Sequence, residues 1–162
     1  MLGPSQCPIA KGVVNLCNFI AWLLRRKTRL TALGGLEGNL VDCAIAKPNR
    51  DEDVANTILE VDGTSGEAEP EAGMKVKKSG RSSGLTHGEV SVTNLTVSVN
   101  MGEGRLALFE DQSAMGPMSE PGDSGSIILT EDNRSVGLLF AGSDLITIAN
   151  RYSNVKAKLD LD

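Results

Sequence analysis

The chain has 162 residues, of which 40% are hydrophobic and 23% charged, and it carries a net charge of −5. That composition is ordinary for a globular protein and argues against nucleic acid as a partner, which needs clustered positive charge. Aromatic residues make up only 3%, so the core has to be built from Val, Leu, Ile and Ala, which suits the narrow layers of a β protein.

Residues 8–27 are predicted to form an amphipathic helix. Pro8 fits its first turn, and Ile9, Val13, Leu16, Ile20, Leu23 and Leu24 recur at helical spacing. Arg25, Arg26, Lys27 and Arg29 are read as cations at the helix C-terminus, where the last carbonyls carry partial negative charge. The apolar run Asn18 to Leu24 is too short to span a bilayer, and the arginines follow it where a signal peptide would place them first. No membrane partner is expected. Cys7, Cys17 and Cys43 are odd in number and lack CxxC spacing, and the chain has one histidine. A zinc or other metal site is therefore not expected, and free thiols in a reducing, cytoplasmic compartment are.

Gly34, Gly35 and Gly38 mark a turn, after which Leu40–Pro48 reads as a short apolar strand carrying one carboxylate, Asp42, and stopped by proline. Residues 49–73 change character: Asp51, Glu52, Asp53, Glu60, Asp62, Glu67, Glu69 and Glu71 are spaced by Gly and Ser. They are predicted to be a solvated acidic connector, with one candidate strand at Thr57 to Val61. From Met74 the pattern becomes strand and turn, with strands expected at 76–79, 89–99, 106–110, 126–130, 136–143 and 144–150, and a short helix at 155–161. The best alternation is Val90, Val92, Leu95, Val97 and Val99. Short strands joined by Gly-rich turns suggest a small antiparallel barrel over 74–162. Upstream of it lie the connector at 49–73 and, at 1–48, a helix and an aspartate-bearing strand.

The sharpest local signal is Glu120-Pro121-Gly122-Asp123-Ser124-Gly125-Ser126, followed by Ile127-Ile128-Leu129. A serine between glycines in a tight turn, just before a buried strand, exposes its hydroxyl and leaves backbone amides around it. Stabilising an oxyanion needs such preset donors, and glycine permits the turn. Taken alone, the motif fits a plain hairpin turn of small residues equally well.

The surroundings change that balance. Gly122–Gly125 is similar to the nucleophile loop of trypsin-like serine peptidases. Val136–Ser143 resembles the strand along which those enzymes lay the substrate backbone, and Val41–Ala46 looks like the strand bearing their aspartate. Lys77–Gly88 resembles the entry to the second barrel of bacterial members. The likeness spans roughly residues 40–160 and implies an all-β, chymotrypsin-like antiparallel barrel, with the second barrel largely complete and the first partial. It implies Ser124 as nucleophile, the amides of Gly122 and Ser124 as oxyanion hole, and Asp42 as the carboxylate orienting the catalytic imidazole. It further implies Asp123 as a buried loop anchor, and a substrate site formed by Met118, Phe140, Ala141 and Gly142. Met118 is not acidic, so the resemblance favours a small or medium apolar side chain of a peptide or protein substrate. No cofactor is implied.

The departure from the family is large. No histidine occurs between Met1 and Asp42, and the sole histidine, His87, follows the aspartate. Losing the histidine costs a serine protease on the order of 10⁶ in turnover. The chain is therefore expected to be nearly inert alone, a fragment whose histidine-bearing half is supplied covalently or by a complementing chain. A serine endopeptidase is the leading reading, and a non-catalytic peptide-binding module is the alternative. An α/β-hydrolase would need GxSxG before a helix, and a phosphate loop in Ser79–Gly88 would need a following GK[ST]. Neither is present.

Overall fold

The computed structural model describes residues 7–24, 30, 38–102 and 105–161. The elements in chain order are α1 (Pro8–Leu23), β1 (Gly38–Asn39), a 3-10 turn (Asp51–Asp53), β2 (Lys75–Gly80), β3 (Gly84–Asn100), β4 (Leu106–Met115), β5 (Ile127–Thr130), β6 (Ser135–Ser143), β7 (Ile146–Arg151) and α2 (Tyr152–Leu159). The hydrogen-bonded order β4-β3-β2-β5-β6-β7 returns on itself through β4 pairing with β7, so six antiparallel strands close into a barrel. Closure removes the open edges that such a sheet would otherwise expose.

The inward residues Val76, Val90, Met115, Met118, Ile128, Val136, Leu139 and Ala149 form the core. On β2 and around Val90 of β3 they alternate with more exposed residues, as a two-residue period requires, whereas β5, β6 and β7 bury consecutive residues. The longest strand, β3, bends around the barrel through register shifts between Val90 and Val97. Asn94 takes a φ of 54° within that stretch, and Asp111 on the facing β4 takes 59°. Such bulges let one strand serve two sides of a barrel.

Three expectations are revised. The predicted helix is present over 8–23, and on it and just after it Ile9, Val13, Leu16, Ile20 and Leu24 are exposed. The predicted extension to residue 27, the basic run at 25–29 and the turn at Gly34-Gly35 lie outside the described residues.

The predicted strand over 40–48 is not a strand. Only Gly38 and Asn39 join the sheet, parallel to Leu108 and Phe109 of β4. From Gln112 onward the same edge of β4 is occupied by β7, so the segment runs out of backbone to pair with. Side chains take over: Gln112 Nε2 donates to the Leu40 carbonyl at 2.8 Å. The Asn150 amide accepts from Asp42 N at 3.0 Å and donates to Asp42 O at 2.9 Å.

The acidic connector is docked more closely than a solvated tether would be. It holds no strand at 57–61, only a bridge between Ile58 and Asp62. It nevertheless buries Val61 and Pro70, and Ala68 N donates to Ser135 O at 2.9 Å. Its carboxylates have work on the barrel surface, Glu67 pairing with Lys156 at 2.8 Å and Glu69 with Arg151 at 2.9 Å.

Candidate active site

The site is the turn between β4 and β5 together with the outer half of β6. Gly122 and Gly125 have φ values of 104° and 92°, a region that L-residues with side chains avoid. The two glycines thus bracket Asp123 and Ser124 and reverse their directions. Asp123 is buried, whereas Ser124 is exposed. The turn is tied down behind the serine. Gly125 N donates to Leu139 O at 2.8 Å, Leu139 N to Ser126 O at 2.9 Å, and Ser126 N to Asp123 O at 3.0 Å. The Ser124 hydroxyl has only a long contact to the Phe140 carbonyl, 3.5 Å. The amides of Gly122 and Ser124 donate to no other group among the described residues.

Asp123 anchors the turn to the β2–β3 hairpin. Its carboxylate accepts from Ser82 N at 2.8 Å, Ser83 N at 3.2 Å, Ser83 Oγ at 2.6 Å and Glu120 N at 3.0 Å. The Lys78 ammonium sits 3.0 Å from its Oδ2, and both side chains are fully buried. Lys78 also donates to Ser83 Oγ. Burial opposes ionisation of Asp123, but these donors outweigh it and hold the carboxyl well below the usual carboxylate range. Gly80 makes room for the group: a Cβ there would lie 2.4 Å from the Asp123 carboxyl carbon.

Lys78 was not singled out from the sequence, although a signal existed. Val76 and Lys78 share one face of β2, and Val76 is fully buried. A lysine two residues along that face therefore needs an internal anion.

The cleft beside Ser124 has a volume of about 370 Å³. Val99 and Asn100 form one wall, Ser119 to Pro121 another, and Leu139 to Asp144 the third. Thus Ser124, Phe140, Ala141 and Gly142 come together in one cleft. Phe140 is steadied by Phe109, with ring centroids 4.8 Å apart.

Met118 lies elsewhere. It is in the core, with its sulfur so close to Gly88 that a Cβ there would lie 2.6 Å away. It does not line the cleft; its neighbour Ser119 does, with the hydroxyl 2.9 Å from Thr147 Oγ1. Ser119, Glu120 and Asp144 were also missed as cleft residues, because a residue's side of an irregular loop cannot be read from a two-residue period.

Asp42 is exposed and does not line the cleft either. Its main chain is held one side chain away from β6, since Asn150 Nδ2 also reaches the Leu138 carbonyl at 3.3 Å. His87 lies on β3 opposite Lys77, with Nδ1 3.2 Å from the Glu131 carboxylate, and does not line the cleft. Among the described residues no cluster of His, Cys, Asp or Glu is suited to a metal ion. None of the helices among them is long and apolar enough to cross a membrane.

A closed six-stranded antiparallel barrel, carrying a Gly-Asp-Ser-Gly turn ahead of β5, its fourth strand in chain order, is the chymotrypsin-like β-barrel fold. Solved structures bear this out. The chain is similar to a Nocardiopsis protease (TM-score 0.53, 21% identity, 60% of this chain and 52% of that one). It is also similar to a Cellulomonas bogoriensis chymotrypsin (0.51, 23%, 60% and 53%) and to Thermobifida fusca protease A (0.53, 23%, 60% and 52%). At these identities the likeness is one of fold, and the chain spans about half the length of these proteins. No protein-family model matches the sequence, and no match was found among curated proteins.

Proposed function

We propose that this chain is the nucleophile-bearing part of a serine endopeptidase, with Ser124 as the residue that is acylated. One observation carries the reading: an exposed Ser124 hydroxyl is flanked by two amides, of Gly122 and Ser124, that are not engaged elsewhere among the described residues. The turn that presents them is locked from behind by the Lys78–Asp123 pair. A hairpin turn without chemistry has no need of a buried ion pair beneath it, since burying two charges costs several kcal/mol before their attraction repays it.

In the proposed reaction Ser124 Oγ attacks the peptide carbonyl carbon, and its proton passes to an imidazole. The carbonyl oxygen becomes an oxyanion and accepts from the Gly122 and Ser124 amides. Collapse breaks the C–N bond, the amine leaves with the imidazole's proton, and the acyl group stays on Ser124 as an ester that water cleaves. The imidazole comes from outside this chain's cleft, because His87 pairs with Glu131 elsewhere. Asp42, whose backbone Asn150 fixes beside β6, is the carboxylate proposed to orient it. Without that base, a typical ~10 s⁻¹ falls to roughly one turnover per day.

The test is labelling by a fluorophosphonate in concentrated imidazole, with the site mapped by mass spectrometry. An adduct on Ser124 that imidazole accelerates, absent from Ser124→Ala, is expected. Labelling that ignores imidazole, or that falls equally on Ser82 and Ser119, counts against the reading.

A second reading draws on the lack of a histidine in the cleft: a peptide-binding module that uses the same groove without turnover. Peptide affinity equal in wild type and Ser124→Ala, with no adduct under any condition, is its signature.

A further inference from the structure

We infer that the cleft beside Ser124 selects a cationic substrate side chain, lysine or arginine, and that Glu120 and Asp144 are the residues that select it. The inference rests on the proposed peptide site but concerns its specificity. It reverses the apolar preference expected from Met118, because Met118 is turned into the core and contributes nothing to the cleft wall.

The lining sets the chemistry. Six of its twelve residues, Asn100, Ser119, Glu120, Ser124, Ser143 and Asp144, carry polar side chains. Among the described residues its only charged members are Glu120 and Asp144, one before the nucleophile and one on the turn after β6, so the described lining holds two formal negative charges and no cation. Neither carboxylate is paired in an ion pair or hydrogen bond among the described residues, whereas the buried Asp123 behind them is fully engaged. Lys78, beneath the turn, is consumed by Asp123 and is wholly buried.

A leucine or phenylalanine side chain entering this cleft would lie beside two exposed carboxylates and gain nothing from their charge. A guanidinium or ammonium entering it would meet both carboxylates as counter-charges, with the hydroxyls of Ser119 and Ser143 as acceptors. The wall opposite has no room to grow. A Cβ on Gly142 would stand 3.0 Å from the Ile146 carbonyl and 3.1 Å from Ser119 Oγ.

The test is a titration of the isotope-labelled chain with N-acetyl-arginine amide and, in parallel, N-acetyl-leucine amide, followed through the backbone amide signals of Ser119, Gly142 and Asp144. These ligands cannot acylate Ser124, so the result stands apart from whether that serine reacts. The arginine ligand should shift these signals and the leucine ligand should do so much more weakly. Each of Glu120→Gln and Asp144→Asn should weaken arginine binding about two- to fivefold, the range for one exposed charge pair, and the pair together roughly tenfold. Raising salt should weaken it further, while leucine binding is unchanged by either substitution. Equal or tighter leucine binding, no response at these amides, or an arginine preference that survives both substitutions overturns the inference.

Discussion

The Lys78 ammonium lies 3.0 Å from the Asp123 carboxylate, and neither side chain reaches solvent. This pair joins the β2–β3 hairpin to the turn that carries Ser124, so the position of the serine depends on a strand more than 40 residues earlier in the chain. The same pair is the main place where stability and the proposed chemistry are linked.

Lys78→Met leaves a buried carboxylate without its cation, and a loss of about 3–5 kcal/mol in unfolding free energy is expected. Urea denaturation measures it. Adding Asp123→Leu to that variant should not restore the whole loss, because the amides of Ser82, Ser83 and Glu120 then lose their acceptor. Full recovery would mean that the carboxylate's hydrogen bonds contribute nothing.

Asp123 also sets an acid limit. Its folded-state pKa is depressed below the ordinary value of 3.8 by the hydrogen bonds that overcome burial. The unfolded chain therefore binds this proton first as pH falls. The stabilisation is complete well above pH 3.8, and it declines as pH drops below that value towards the folded pKa. Urea midpoints between pH 7 and pH 2.5 should fall steeply only at the acid end. In Asp123→Asn the protein should be weaker at neutral pH and this component of the acid dependence should vanish.

Two glycines near the pair are needed for different reasons. Gly80→Ala places a Cβ against the Asp123 carboxyl, 2.4 Å from its carbon, a clash worth about 1–3 kcal/mol by analogy with overpacked cores. Gly122→Ala combines a φ of 104° with a Cβ 2.4 Å from Ser82 Oγ, and about 1–3 kcal/mol of backbone strain is expected. Calorimetry should show lower unfolding temperatures for both. Ser124 labelling should be lost in Gly122→Ala even at temperatures where that variant is folded.

Met118→Ala separates core from cleft. The side chain is 4% exposed and packs in the barrel interior, so its truncation should cost about 2–5 kcal/mol. If Met118 lined the substrate site, labelling of Ser124 by probes of different side-chain size would change instead. The expected result is a large loss of stability with the order of probe reactivities unchanged.

The barrel was legible because short apolar runs are separated by turns marked with glycine: five of the six predicted strands lie within two residues of an observed one at the start, and β3 begins five residues early at Gly84. That early start follows from the tight Gly80–Gly84 turn, which lets β2 and β3 pair down to Gly80 and Gly84 themselves. The segment at 40–48 misled because its composition is strand-like while its fate depends on a free edge, and β7 takes that edge. The anchor Asp123 was recognisable from its motif, but its partner was not, because Lys77 and Lys78 look alike in sequence. One reaches outward to the Glu131 carbonyl at 3.0 Å, and the other is fully buried.

The most direct test of Ser124 as a nucleophile backed by two amide donors is boron-11 magnetic resonance of a peptidyl boronic acid added to the intact chain. Boron is trigonal in the free acid and becomes tetrahedral when a serine oxygen bonds to it, a step that does not need a catalytic histidine to turn over. A tetrahedral signal in the wild-type chain that is absent in Ser124→Ala is the expected result. Boron that stays trigonal at saturating protein, or a tetrahedral signal that persists without Ser124, would contradict the account.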